Sequence, residues 1–450
     1  ALISTAGNDV DATVAIGYQA LNDVTSGDNN VAIGYQAGDA MTDTSNTVLI
    51  GYLAGSSINH SDASSTVMIG AYAGDAITSG QFNIGLGKAT LSTLTTGDDN
   101  IAIGNQALET HLTGLRNIAI GNNAMYDTDA GSTAQDSDDN IFIGYTAGGG
   151  TWANTESKEN VAIGNYAMDG ALDGAIRNVA IGHDALSGAT GADYNQAIGY
   201  RALYNVNTGG SNVAVGHEAG TNITSGNNNI AIGYHAGYNN QTGVYNVHIG
   251  MQAGYGAASN SANTNTFVGY QTGYDVTSGY SNVAIGGSAL ANLTSGYNNV
   301  VVGTSAGSTL TTTNFVTLIG RNAGAAINST DANGTVAIGY YAGATLTDGQ
   351  YNTLVGYQAG DGITTGNDNT IIGYIAGGST DFNAGSQNTF LGSSAGNYAI
   401  NTYSNVYIGY RAAGTNKQGG YNVVIGDQAG YNPVGNQYSG SHNVFMGYAA

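Results

Sequence analysis

Asn30-Val31-Ala32-Ile33-Gly34-Tyr35-Gln36-Ala37-Gly38 is the stretch that decides how this chain folds. Val31 and Ile33 are two apart, so an extended backbone places both on one face. Gly34 and Gly38 follow at once, and glycine supplies the positive φ of a tight turn. β-Branched residues at period two, interrupted by glycine every few positions, exclude a helix.

Working outward, the same pattern fills the chain. Aligned on the Gly that closes the motif, first at Val14-Ala15-Ile16-Gly17, it occurs 25 times, and 16 of the 24 spacings are 17 residues. A unit this short cannot bury its own apolar face, so coils must stack. The expected fold is therefore all-β: a parallel β-solenoid or β-roll of about 25 coils on a 17-residue basic repeat. It is read as one continuous repeat domain over residues 1–450.

Each column has an expected role. Ile16, Ile33, Val213, Ile232 and Ile425 stand for the two files one and three residues before the Gly, read as core. The position between them varies from Ala15 to Phe142, His248, Tyr407 and Phe445, and is read as facing solvent or another chain. Ala three after the Gly, as at Ala20, marks close packing at a corner. Apolar residues seven after it, such as Val24 and Ile77, mark a second, shorter strand. Thr25-Ser26-Gly27-Asp28-Asn29-Asn30 supplies the other turn. Four before the Gly, 20 of 25 copies carry Asn, including Asn30, Asn100, Asn229, Asn299 and Asn422. Stacking would set these amides in a structural ladder.

Composition narrows the function. Eight Lys plus Arg against 30 Asp plus Glu leave a formal charge of −22, which excludes a phosphate-binding surface and so nucleic acid. No apolar run approaches the ~18 residues of a membrane span, so no insertion is expected within this chain. With no cysteine, the redox compartment stays open. The opening residues, Ala1 to Asp11, read as the interior of a longer or processed chain.

Motifs for chemistry are sparse. Gly303-Thr304-Ser305-Ala306-Gly307 and Gly392-Ser393-Ser394-Ala395-Gly396 match a nucleophile elbow by letter, yet each is the repeat's own turn with Ser in the Gln slot. Seven His share no ligand spacing, and four Glu offer little for general acid–base pairs, so no catalytic residue is assigned. Asp28, Asp98, Asp99 and Asp139 lie in oxygen-rich turns and are the candidates for calcium, the one cofactor considered; Asx turns are the alternative. A Thr file (Thr25, Thr78, Thr95, Thr294, Thr364) could meet ice but is broken at Gln241 and Lys417. Tyr follows the Gly in 12 copies, a stabilising stack or a platform for sugars. The longest coils, around 127–139, 151–159 with the only Trp (Trp152), and 431–442, are the candidate recognition loops.

The motif Asn-Val-Ala-Ile-Gly-x-x-Ala, as in Asn30 to Ala37 and Asn282 to Ala289, resembles the head repeats of YadA-like trimeric autotransporter adhesins, and similar repeats in phage tail fibres. That resemblance implies a left-handed roll, three chains side by side, and an adhesive role. The expected function is a non-enzymatic extracellular structural or adhesive fibre on a cell or virion surface. It would self-associate as a homotrimer or filament and hold a surface glycan or host receptor. The alternatives are a phage receptor-binding shaft, a calcium- or ice-binding solenoid, and a tailspike-like glycosidase.

Overall fold

In the computed structural model, which describes residues 11–128, 136–153, 155–257, 260–378, 383–414, 419–431 and 440–450, the Val-x-Ile segment of every coil is a three-residue strand. The described residues hold 25 such strands and no α-helix; single 3₁₀ turns occur at Ser61–Ala63 and Thr330–Ala332. The chain divides into two compact units, Ala1–Asn227 and Asn228–Ala450. The first carries β1 (Val14–Ile16), β2 (Val31–Ile33) and their successors to β12 (Val213–Val215). The second carries β13 (Ile230–Ile232) to β25 (Val444–Met446).

Within each unit the strands of successive coils pair parallel and in register. Val14, Ala15 and Ile16 face Val31, Ala32 and Ile33, and the second unit repeats the arrangement at Val423↔Val444. Each unit is thus a parallel β-solenoid with a repeat of 17 residues. Every coil turns at left-handed corners two after and five before its motif Gly, as at Gln36 (φ 50°) and Asn29 (φ 58°). The motif Gly itself sits at φ 143° in Gly34, and a Cβ there would lie 2.1 Å from the Gly51 carbonyl oxygen. No other residue fits that approach, which fixes the glycine wherever a further coil stacks on it.

The core lies on the opposite face of the strand from the one expected. The middle residue points inward: Ala32, Leu49, Met68, Phe142, Phe267, Phe390 and Tyr407 are fully buried. Ile16 is 52% exposed and Ile232 37%, while Ile33, Val213 and Ile425 are only half-buried. The files read as core therefore face outward, and the file read as solvent-facing is the core. The cause is the thinness of the coil. Its interior admits one strand residue, met by the corner Ala (Ala37, Ala54) and by the apolar residue seven after the Gly (Met41, Ile58). Alternation then forces both neighbours out. Variation in size is tolerated inside because volume trades along the stack: a Cβ on Gly85 would stand 2.5 Å from the Met68 sulfur. Large inward rings stack directly, Phe390 on Tyr407 at 4.7 Å and His248 on Phe267 at 5.5 Å.

Among the described residues the second, shorter strand does not form. Residues 25–26 are a bend, and the equivalent described segments make at most isolated bridges such as Asn240↔Asn260. Left-handed corners on both sides leave too little extended chain for a ladder. Coils still bond there, as in Thr25 N–H to the Thr42 carbonyl at 2.8 Å.

Candidate functional site

Asn four before the Gly shares the inward face with the middle strand residue, and its amide runs along the interior. In Asn100 the backbone N–H (3.0 Å) and Nδ2 (3.2 Å) both donate to Asn83 Oδ1, and Nδ2 also donates to the Gly114 carbonyl at 2.9 Å. The file continues to Asn212 in the first unit. In the second unit it links Asn229 to Asn246 and Asn282 to Asn299, and later Asn405 to Asn422. Asn30 instead accepts from the N–H and hydroxyl of Thr47, and donates to the Thr44 carbonyl. Each amide thus satisfies a turn and ties two coils, a structural task that leaves no group for a ligand.

The aspartates in the oxygen-rich turns already have partners. Asp28 accepts from the N–H of Asp11, and Asp98 from that of Gln81, each at 2.8 Å, so both cap the preceding coil. Asp99 holds a left-handed corner at φ 59°. Asp139 takes the Arg116 guanidinium on both oxygens at 2.6 and 3.0 Å, which holds its carboxyl below the usual range. Ser305 and Ser394 occupy corners at φ 56° and 57°, the slot of Gln36.

Trp152 is not a surface recognition residue. It is fully buried, donates from Nε1 to the Gly148 carbonyl at 3.0 Å, and packs on Phe142 at 5.7 Å. The extra length of its coil lets the chain deliver a large ring inward. Most of the candidate loops at 127–139 and 431–442 lies outside the described residues. The Thr file bonds along the stack: Thr25, Thr294 and Thr364 donate their hydroxyls to carbonyls of the next coil at 2.9, 3.0 and 2.9 Å. Where three successive coils carry it, the Tyr file stacks ring on ring, as in Tyr18, Tyr35 and Tyr52 at 5.3 and 5.2 Å. In such runs the facing rings cover one another, leaving mainly ring edges for a sugar.

Two buried histidines were not foreseen. His111 stands in the file of Leu94, with Nδ1 3.0 Å from Thr128 Oγ1 and Nε2 3.1 Å from the Asn117 amide nitrogen. An amide N–H can only donate, so Nε2 accepts and Nδ1–H donates to the hydroxyl. His248 stands in the inward strand file. Burial pushes both imidazoles down to about 4, for His111 against the pull of Asp136.

What remains without a task inside the chain is the outward face of the sheet. Its two files hold Val, Ile and Leu in nearly every coil, broken by Thr (Thr266, Thr317, Thr353, Thr370, Thr389), Gln196 and the closing Met446, and no charged residue enters either. Tyr one after the Gly adds a third outward file where it occurs. Ile84, Leu86, Ile181, Ile285, Val300 and Leu391 are all exposed. Single exposed aliphatics are ordinary, whereas an uncharged stripe repeated coil after coil within each unit is the kind of surface another chain can cover. Among the described residues no helix is long and apolar enough to cross a membrane. Neither a family model nor a curated protein matches the chain.

Proposed function

We propose that this protein is a non-enzymatic structural fibre protein of a cell or virion surface, built to pack side by side with copies of itself and to mediate attachment. One observation carries the reading: the outward Val and Ile files are uncharged, mostly aliphatic, and half-buried to exposed in both units. In a chain of net charge −22, so long a stripe free of Asp and Glu fits a surface that another chain covers. Identical copies supply the match, since symmetric self-association is the commonest solution for soluble chains. Three copies about a common axis is the arrangement that the likeness to adhesin head repeats implies. The partners of the Asn ladder, the turn aspartates and the Thr hydroxyls support a scaffold over a catalyst.

Sedimentation equilibrium tests this directly. The expected mass is three times the 45.3 kDa of one chain, with rods or filaments in electron micrographs. A 45.3 kDa species that persists at high protein concentration would overturn the proposal.

A further inference from the structure

We infer that the stacked tyrosines are sites of oxidative coil-to-coil cross-linking, in which neighbouring phenols of one chain couple to dityrosine. The geometry is set by the repeat. Tyr18, Tyr35 and Tyr52 each follow the motif Gly in consecutive coils, where in-register pairing holds the backbones together; Gly34 N–H donates to the Ile16 carbonyl at 2.8 Å. The rings lie 5.3 and 5.2 Å apart between centroids, with planes inclined by only 14° and 13°. In the second unit Tyr340, Tyr357 and Tyr374 repeat this at 5.1 and 5.3 Å, inclined by 15° and 19°. All six are exposed, so an oxidant reaches them.

The chemistry follows from where the spin resides. Removing one electron and one proton from a phenol leaves a phenoxyl radical whose density at the ortho carbons sits in lobes normal to the ring. Two such radicals stacked face to face point those lobes at each other. An edge-on pair does not: Tyr52 and Tyr72 are equally close at 5.3 Å but inclined by 69°. Coupling forms one ortho-carbon to ortho-carbon bond. Each of those carbons then loses its hydrogen as a proton, and each oxygen regains one. A haem peroxidase with hydrogen peroxide supplies the oxidation: two phenols and one peroxide give one biphenol and two waters. The result is a covalent staple across coils in a chain that has no cysteine to form one.

The test treats the purified full-length protein with peroxidase and hydrogen peroxide, isolates the product that still runs as a single chain on a denaturing gel, and maps its peptides. Trypsin is unsuitable, because no Lys or Arg precedes Lys88 and none lies between Arg321 and Arg411. Cleavage before Asp separates the partners, at Asp28 and Asp43 in the first ladder and at Asp348 and Asp361 in the second. Expected are Tyr18–Tyr35, Tyr35–Tyr52, Tyr340–Tyr357 and Tyr357–Tyr374 links. Tyr35→Phe keeps the ring stack, should abolish both links of the first ladder, and should leave Tyr340–Tyr357 in place. Links that join tyrosines without regard to stacking, dityrosine found only between chains, or no dityrosine at all would each overturn the inference.

Discussion

Ala180 and Ile181 are neighbours on one strand, yet they belong to different regions of the molecule. Ala180 is sealed inside with Ala162 and Ala197 above and below it, whereas Ile181 stands on the outer face, 37% exposed. Inside, coils exchange volume along the stack, so one file can hold Gly85, Phe142 and Tyr407. Outside, the files hold almost nothing but Val, Ile and Leu, although solvent would accept nearly any residue. On the proposed reading, uniform composition marks the face that meets another copy, and diversity marks the face whose neighbours can compensate. In a globular domain the relation runs the other way.

The inner file offers the hardest test. Phe142→Ala removes a fully buried ring that also supports Trp152, and should destabilise its unit by about 4 kcal/mol. Hydrogen exchange at 141–143 and in the paired strands Ile118–Ile120 and Val161–Ile163 should quicken accordingly. A loss below about 1 kcal/mol would mean that the interior can collapse around the gap.

Acid provides the next largest effect. His111 and His248 are neutral inside, with pKa about 4 against an ordinary 6.5, so the unfolded chain binds more protons between those values. Stability from each is then complete above pH 6.5 and is lost as pH falls toward 4, by about 3 kcal/mol per site. His248→Phe, which keeps the stack on Phe267, should flatten its share of the pH slope in urea titrations. An unchanged slope would show that His248 is hydrated in the native state.

The Asn ladder comes third. Asn195→Ala removes the acceptor of the Asn212 N–H and the amide that donates to the Gly209 carbonyl, and should cost about 2 kcal/mol. Asn195→Thr should cost less, because the chain itself carries Thr in this file: the Thr335 hydroxyl donates to the Gly349 carbonyl at 3.2 Å. Equal losses for Ala and Thr would show that the hydroxyl does not replace the amide.

Much of this was legible beforehand. The Gly spacing gave the coil, the period-two run gave the strand, and Asn-Gly chemistry gave both turns. The inside-out assignment of Ile16 and Ile232 came from a rule suited to two-layer domains, where a size-tolerant column faces water. Parity held the missing signal: Asn30 and Ala32 are two apart and share a face, so a buried amide ladder forces Ala32 in and Val31 and Ile33 out. In the first unit the small neighbours of Phe142, Ala119 and Ala162, were a second signal. Trp152 misled because a long coil reads as a loop, and nothing in its local sequence tells an inward ring from an outward one.

The outer file offers the smallest effect on the single chain and the most pointed one. Ile181→Asp places a charge between Ile163 and Ile198, where the side chain reaches water and no buried contact is lost. The strand keeps its hydrogen bonds, so unfolding of the dissociated chain should shift by no more than about 1 kcal/mol, the span of strand propensity. If copies pack through this face, the same carboxylate recurs in each copy, and neither strand file of a facing copy offers a cation to pair with it. Burying it unpaired costs several kcal/mol per chain, enough to separate the copies. Sedimentation should then report the single-chain mass for Ile181→Asp, while Phe142→Ala, weaker in itself, should still assemble wherever it folds. If Ile181→Asp assembles as the unaltered chain does, the aliphatic stripe is not the contact.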